Sequence, residues 1–515
     1  MLKLAQAMLG WQARLLAVVI VVTTSMALLV AYARPAAAGP SVLYVDNGNP
    51  NCSDSGPGTS TIPFCTIGKG ASVAVAGQTV QVASGTYAEL VTVKNSGAAG
   101  SPIVLTAAPG ASVTVNGMAN GFKVSGKTYV TVQGFMVSST TSYGIYVTGS
   151  SNVTVSGSTV SGTGSHGIYV TSSSTNVTVS GDSVSNTTGY GIYVNTLSNS
   201  TVSGNSVSGT TNYGIYVNSS SNITVNGNDV SAAGQPVQGY TKYGIKLAGS
   251  TSSLVSGNTA HNNSDAGIFL DAGTHGVEVT GNQTYGNARG YARAAPGIDV
   301  RGYSNTIDRN VSHDNEDSGL QFYAGSHDNL VVDNLTYNNG DHGIDNLGAT
   351  NQTIISNTVY NNVTAGINVE GSSTGATVEN NISVDNGINS PRTHSDIRVD
   401  STSTSGATVD YNVVYLTTPD TLYVWGSTSY TSLAAFQAAT GQEAHGVQAD
   451  PQWVSTGSDF HLQGSSPAID SANSGVSGET STDLEGNGRV DDTSVSDTGA
   501  GPRTYDDRGA YEYQP

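Results

Sequence analysis

The sequence predicts an all-β solenoid of about 12–14 coils, and three observations support this. A glycine followed by Ile or Leu recurs ten times, mostly 22–24 residues apart with two spacings of 30, and such a period indicates stacked structural units. Each repeat contains short alternating apolar runs between Gly, Ser and Asn turns, which is typical of strands of three to five residues. With 64 Gly, 7% aromatic and 11% charged residues, the composition is not that of an ordinary globular domain. The repeat glycines are Gly144, Gly167, Gly191, Gly214, Gly244, Gly267, Gly297, Gly319, Gly343 and Gly366.

The first element is a predicted secretory signal peptide over residues 1–38. Lys3 and Arg14 precede an apolar run over residues 15–30, and three alanines end at Ala38. A retained membrane anchor is the alternative, since the apolar run is just short of a comfortable membrane span. Both interpretations place the protein outside the cytoplasm, as a secreted or cell-surface protein. After signal cleavage we expect no stable membrane contact.

Residues 39–116 are predicted to form an N-terminal cap and the first coils, because their apolar alternations are longer and less regularly spaced. Cys52 and Cys65 are the two cysteines of the chain, and we expect them to form a local disulfide in an oxidising compartment.

Residues 117–412 are predicted to form the regular array. An asparagine recurs once per repeat after the second short strand, where its side chain can satisfy backbone groups of its own turn and of the next coil. We assign these residues a structural role: Asn205, Asn228, Asn258, Asn282, Asn310, Asn334, Asn357, Asn381 and Asn412.

The period is lost over residues 413–515, which are predicted to be a C-terminal cap. A short helix is expected at residues 432–439, and Trp453, Phe460 and Leu462 are expected to form an apolar cluster. The open end of a solenoid needs such a cover.

Three short strands per 22–24 residues resemble the right-handed parallel β-helix of pectate-lyase-like proteins, over roughly residues 41–412. This scaffold carries lyases, epimerases, hydrolases and passive surface proteins. The resemblance therefore implies the fold and leaves the reaction open.

Neighbouring residues of a strand point to opposite sides, so the residue two after each repeat glycine is expected to be exposed. This column is aromatic in the N-terminal half of the array and ionisable in the C-terminal half. Coils lie about 4.8 Å apart, which would bring the candidate catalytic residues within about 10 Å along the axis. The candidates are Asp299, Arg301, Tyr323, His342 and Asp345.

Both long repeats carry extra residues just before the glycine, in loops that would wall a groove. Arg289, Arg293, Arg301 and Arg309 fall within 21 positions of a chain whose net charge is −19. Guanidinium groups suit carboxylates, which favours an anionic polysaccharide as the partner, whereas a nucleic-acid surface would need a basic stripe. The expected substrate-binding residues are Tyr216, Lys246, Arg289, Arg293 and Gln321, and we expect a monomer.

Residues 296–302, 311–315 and 339–344 look like the catalytic module of mannuronan C-5-epimerases. Asp299 matches the Asp of the family's Tyr-Gly-Phe-Asp-Pro-His motif, and His342 matches its later His. At three other motif positions this chain has different residues. Pro296 occupies the position of the family's Tyr, Arg301 that of its first His, and Tyr323 that of its second Asp. The resemblance therefore implies chemistry of the same type on a uronic-acid polymer, by a lyase or an epimerase. It implies this more strongly than it implies epimerisation itself.

In that chemistry, Arg301 would neutralise the substrate carboxylate. Tyr323 or His342 would be the base and the other the acid, with Lys246 a less favoured base. Asp299 and Asp345 would bind Ca²⁺ or orient Arg301 and His342.

Two other functions stay open. A glycoside hydrolase would use Asp299 and Asp345 as facing carboxylates. A non-catalytic carbohydrate-binding or cell-surface solenoid would use the regular Thr, Ser and Asn-rich half, with Asp299–Arg301 as a surface ion pair and the tyrosines as packing.

Overall fold

A computed structural model describes residues 41–234, 242–288, 295–388 and 390–515. The signal peptide predicted at 1–38 lies outside the described residues. The chain winds into a parallel β-solenoid of about 14 turns, in which each turn adds one short strand to each of three 15-stranded sheets. The predicted all-β solenoid is confirmed.

The strands of sheet A are Val42–Val45, Thr79–Val82, Ile103–Ala107, Thr128–Gln133, Ser151–Ser156, Thr175–Ser180, Ser198–Ser203, Ser221–Asn226, Leu254–Ser256, Glu278–Thr280, Thr306–Asp308, Leu330–Val332, Thr353–Ile355, Thr377–Glu379 and Thr408–Asp410. The strands of sheet B are Gly85–Tyr87, Val113–Asn116, Met136–Ser138, Thr159–Ser161, Ser183–Ser185, Ser206–Ser208, Asp229–Ser231, Thr259–His261, Gln283–Tyr285, Val311–His313, Leu335–Tyr337, Thr358–Tyr360, Ile382–Val384, Val413–Tyr415 and Val447–Gln448. The strands of sheet C are Val91–Thr92, Asn120–Ser125, Tyr143–Thr148, Ile168–Thr171, Ile192–Asn195, Ile215–Asn218, Ile245–Ala248, Ile268–Leu270, Ile298–Val300, Leu320–Tyr323, Ile344–Leu347, Ile367–Glu370, Ile397–Asp400, Tyr423–Gly426 and Thr428–Tyr430.

The repeat glycines lie at the N-terminal ends of the strands of sheet C, and close packing explains why these positions are glycine. A Cβ at Gly144 would overlap the Val160 side chain from sheet B and lie 2.6 Å from the carbonyl oxygen of Gly167 on the next coil. The following isoleucines pair in register, Ile145 with Ile168, and are fully buried. The repeat therefore places like residues side by side along the solenoid.

The predicted asparagine ladder is present at the turns between sheets A and B. Each buried amide donates from Nδ2 to the Oδ1 of the next asparagine at 2.9–3.0 Å, from Asn205 through to Asn412. A second ladder, which the sequence reasoning did not separate from the first, lies between sheets B and C. Its members are Asn263, Asn287, Asn315, Asn339, Asn362 and Asn386.

The first coils contain a short helix, α1 (Ile67–Val73), which Thr66 caps through its side chain. The predicted disulfide between Cys52 and Cys65 is present.

The predicted C-terminal helix is α2 (Leu433–Thr440), with Ser432 as its cap. Its Phe436 stacks on Tyr423, with 4.2 Å between ring centroids, and so closes the apolar core at that end.

The remaining C-terminal residues do not all lie over the end of the solenoid, as a cap would. Trp453, Phe460 and Leu462 pack with Leu335 and Ile382, whose side chains lie on the outer face of sheet B. Trp453–Ser455 and Asp459–Leu462 form a two-stranded antiparallel sheet there. The apolar residues on this outer face need a cover, which the C-terminal segment supplies.

No helix in the described part of the chain is long and apolar enough to cross a membrane.

Candidate functional site

The predicted site residues lie on sheet C, where the register places Lys246, Phe269, Asp299, Gln321 and Asp345 on successive strands. The prediction that this column is exposed is wrong in its C-terminal half. Phe269, Asp299, Gln321 and Asp345 are at most 4% exposed. Their neighbours within each strand face the apolar core, so these side chains point away from it. Arg301 lies over Phe269 and against Asp299, and Tyr243 stacks on Phe269 with 4.1 Å between ring centroids.

Arg301 is the side chain that covers Asp299. Its guanidinium donates to both carboxylate oxygens of Asp299, at 3.0 Å from Nη2 and 3.4 Å from Nε. The same group lies over the rings of Phe269 and Tyr323, 5.0 and 4.6 Å from their centroids. The Arg301 side chain is 42% exposed, whereas that of Asp299 is 3% exposed. Asp299 therefore orients a cation whose outer side faces solvent.

The electrostatics of the Asp299 pair follow from this burial. Burial raises the pKa of Asp299 to about 6, although the charge and hydrogen bonds of Arg301 lower it. Burial also raises the pKa of Tyr323, and the carboxylates of Asp299 and Asp317 add to that shift. The Tyr323 phenol is thus protonated at neutral pH and can donate a proton.

His342 and Asp345 form a second group, two coils further along the solenoid. Asp345 accepts hydrogen bonds from Gln321 at 3.0 Å and from Asn368 at 2.8 Å, and burial raises its pKa. His342 is 1% exposed; its Nδ1 lies 2.7 Å from the Thr364 hydroxyl, and its Nε2 lies 3.2 Å from Nδ2 of Asn368. Gln321 connects the two groups, since it pairs in register with Asp299 and with Asp345.

The Ca²⁺ site expected from Asp299 and Asp345 does not fit these contacts. Both oxygens of Asp299 are engaged by Arg301. The metal-competent group on this sheet is His342, Asp345 and Glu370, with one ligand atom of each within 4.8 Å of the others. A set with one imidazole nitrogen suits a transition metal better than Ca²⁺, which prefers oxygen ligands.

Tyr216 and Lys246 lie on the N-terminal side of Asp299. Tyr216 stacks on Tyr193 within a double column of aromatic rings, with 5.0 Å between centroids. The ammonium of Lys246 lies 5.0–5.6 Å from four ring centroids of this column and 3.5 Å from Asp271. The aromatic column therefore leads directly to the ionisable residues.

Three acids next to this site were missed by the sequence reasoning. Asp265, Asp317 and Asp341 each stand two residues before a repeat glycine, where the first four repeats have Ser, Gly or Asn. Burial raises the pKa of Asp265 and of Asp317 to about 7. Burial acts in the same direction on Asp341, but His342, Thr364 and Arg392 together lower its pKa. This change of residue type at one repeat position was the signal available in the sequence.

The remaining arginines that were predicted to line the groove are Arg289, Arg293 and Arg309. Arg289 and Arg293, and the insertion at 235–240, lie outside the described residues. Arg309 does not join the site, because it follows the sheet A strand Thr306–Asp308 and pairs with Asp308 at 2.6 Å.

A shallow depression of about 600 Å³ lies on sheet A, lined by Thr201, Thr224, Ser252, Glu278 and their neighbours. Glu278 is the ionisable residue in its lining, so this surface offers little for acid–base chemistry. Sheet C is the better candidate.

The model of the family described as "right handed beta helix region" matches residues 120–284 and 284–435, more than half of the chain. The protein belongs to this right-handed β-helix family. No protein of curated description matches its sequence.

Several solved structures are similar to this one. XylC in complex with xylose is 13% identical, with 74% of this chain and 86% of that chain covered and a TM-score of 0.44. Pectate lyase Pel9A is 18% identical, with 92% and 96% covered and a TM-score of 0.36. The A-module of the Azotobacter vinelandii mannuronan C-5 epimerase AlgE4 is 15% identical, with 72% and 91% covered and a TM-score of 0.39.

Proposed function

We propose that this β-helix protein is a secreted enzyme that binds an anionic polysaccharide of the uronic-acid type along sheet C. The reaction proposed is that of a lyase or epimerase, by proton abstraction at carbon five. The observation that carries the proposal is Arg301, an exposed guanidinium held between two aromatic rings by a buried carboxylate. The disulfide of Cys52 and Cys65 supports an oxidising compartment outside the cytoplasm.

Arg301 would bind the carboxylate of one sugar unit and stabilise the enolate-like charge that develops when carbon five loses its proton. Asp299 fixes the guanidinium plane, because a bidentate pair restricts both position and orientation. The rings of Phe269 and Tyr323 limit its movement along the solenoid axis.

Tyr323 is proposed as the acid. Its raised pKa keeps the phenol protonated, and its ring lies against Arg301, next to the bound carboxylate. In a lyase reaction this proton would go to the leaving glycosidic oxygen. In an epimerase reaction Tyr323 would instead donate this proton to carbon five from the opposite face of the sugar, replacing the proton that the base removes.

His342 is proposed as the base. Its ring is covered in the free protein, so this role requires that the polymer displaces part of its cover on binding. Catalytic contacts often tighten only in the complex with substrate. Asp345 and Asn368 would hold the ring in place through the hydrogen bonds described above.

The test measures turnover on alginate and on polygalacturonate by two readouts. Ultraviolet-absorbing unsaturated ends report a lyase, and proton exchange with deuterated water at carbon five reports an epimerase. Arg301→Ala should lower kcat/KM by about 10²–10³-fold, the usual effect of removing one charge-stabilising donor. Tyr323→Phe and His342→Gln should lower kcat by about 10²–10⁴-fold, as for lost general acids and bases.

Arg309→Ala is the matched control, because it removes a partly exposed guanidinium that is paired with an aspartate on another sheet. It should keep full activity. Full activity in folded Arg301→Ala and His342→Gln variants would disprove the site assignment.

A glycoside hydrolase is the second candidate, favoured by Asp317 and Asp341. The backbone N–H of Asp341 donates to the carbonyl of Asp317, and their pKa values are shifted in opposite directions. Paired carboxyl groups with separated pKa values are typical of an acid and a base. New reducing ends without unsaturated ends, lost in Asp317→Asn, would favour this reaction.

A further inference from the structure

Three carboxylates converge in the C-terminal segment, far from sheet C. One oxygen each of Asp470, Asp491 and Asp497 lies within 4.8 Å of the other two. Asp470 is fully buried, whereas Asp491 and Asp497 are exposed. The group therefore has a closed inner side and an outer side open to solvent.

The buried member has an oxygen without a partner. Oδ2 of Asp470 is buried and makes no hydrogen bond with any described residue, and Oδ1 has one long contact, 3.5 Å from the backbone nitrogen of Asp492. Buried carboxylate oxygens in folded proteins nearly always have a hydrogen-bond or metal partner. Within the described residues, this oxygen of Asp470 therefore lacks the partner that a buried carboxylate requires.

The nearby arginines are engaged elsewhere. Arg503 pairs with Asp506 at 2.6 Å, and Arg508 donates to the carbonyl oxygens of Ser471 and Asn412. Within the described residues, no salt bridge reaches Asp470, Asp491 or Asp497. Among the described side chains, Thr504 donates a hydrogen bond to Asp497 at 2.7 Å.

We propose that Asp470, Asp491 and Asp497 bind one Ca²⁺. The ligand set consists of oxygen alone, which selects a hard divalent cation over zinc or copper. Two of the three carboxylates come from one turn, residues 491–497, and such adaptable loops suit the larger and less regular coordination of Ca²⁺ better than the strict octahedron of Mg²⁺. Backbone carbonyls and water would complete the coordination sphere.

This ion would fasten the C-terminal segment. Asp470 is anchored from both sides, since its N–H donates to Asp507 and its carbonyl accepts from Thr498 and Gly499. The segment that it belongs to covers the outer face of sheet B. Binding of Ca²⁺ would thus join the exposed turn at 491–497 to this buried anchor, independently of the sugar chemistry proposed for sheet C.

The experiment uses the full chain after treatment with chelator, titrated with CaCl₂ by calorimetry and followed by thermal unfolding. The wild type should bind Ca²⁺ at this site and gain about 2–4 °C in Tm when Ca²⁺ is at 100 times its Kd. Asp491→Asn and Asp497→Asn should each weaken this binding at least about tenfold, the loss expected for one charged ligand. Asp450→Asn removes an exposed carboxylate from the same segment, and it should bind Ca²⁺ as the wild type does.

Absence of Ca²⁺ binding by the wild type, or unchanged binding in both Asp491→Asn and Asp497→Asn, overturns the proposal. Limited proteolysis of the wild type gives a second measurement that needs no variant. Ca²⁺ should slow cleavage between residues 491 and 499 by about tenfold or more, as expected when binding closes a locally open segment. An equal cleavage rate with and without Ca²⁺ also overturns it.

Discussion

Asp182 occupies the ladder position that precedes Asn205, and an asparagine there should make the protein more stable at neutral pH. Asn205 donates from Nδ2 to Asn228 at 2.9 Å and to the Val179 carbonyl at 3.1 Å. Asp182 accepts from Ser158 N–H at 2.7 Å through Oδ1, but its buried Oδ2 has no hydrogen-bond partner among the described residues. In Asp182→Asn the new amide would stand where Oδ2 is and could donate to Asn205, whose Oδ1 already accepts the Asp182 N–H.

The size of the effect follows from the pKa of Asp182, which burial raises from 3.8 to about 7. Because the folded-state pKa lies above the unfolded value, the stability contributed by this group is complete below pH 4 and is lost as pH rises to about 7. A shift of this size corresponds to about 4 kcal/mol at full ionisation. The variant has no carboxyl group to ionise, so its advantage should grow from near zero at pH 4 to about 4 kcal/mol at pH 8.

The assay is urea unfolding of both proteins at one-unit intervals from pH 4 to pH 8, because urea does not screen charges. The difference between the two proteins cancels the other buried acids, which titrate in both. Glu278→Gln removes an exposed carboxylate on sheet A and should give a difference below about 0.5 kcal/mol at every pH. A stability difference for Asp182→Asn that does not change with pH would refute the reasoning, and so would a more stable wild type at pH 8.

Three further predictions concern the scaffold. Asn334→Ala should lower the free energy of unfolding in urea by about 3–5 kcal/mol, since it leaves the buried partners of five hydrogen bonds unpaired. The control Asn226→Ala, at an exposed asparagine, should lower it by less than about 1 kcal/mol. Similar losses in the two variants would contradict this prediction. Gly297→Ala should destabilise the protein by about 1–3 kcal/mol in the same assay, because its Cβ would overlap the hydroxyls of Ser312 and Thr284; a wild-type midpoint would show that these side chains move away freely. Replacing Cys52 and Cys65 by alanine should lower the stability of the first coils by about 3 kcal/mol, the value for a closed loop of this length. Backbone amides of these coils should then exchange their hydrogens faster. An unchanged exchange rate there would count against the prediction.

The candidate site was partly predictable. Strands of a parallel solenoid pair one coil apart, so a period read from the glycines is enough to place Asp299, Gln321 and Asp345 side by side. The repeat cannot show which side chains cover which. Arg301 turns back over Asp299 and Phe269, and this is a choice of side-chain conformation that buries a column expected to be exposed.

The sequence by itself determined the solenoid, its register, the asparagine ladder and the disulfide, because each depends on spacing along the chain and on contacts between adjacent coils. Only the tertiary structure decided where the last 60 or so residues lie. Arg489, for example, pairs with Asp333, 156 residues earlier, at 3.0 Å. Contacts over such distances follow no period, since they depend on the shape and charge of a surface that exists only after the coils have stacked.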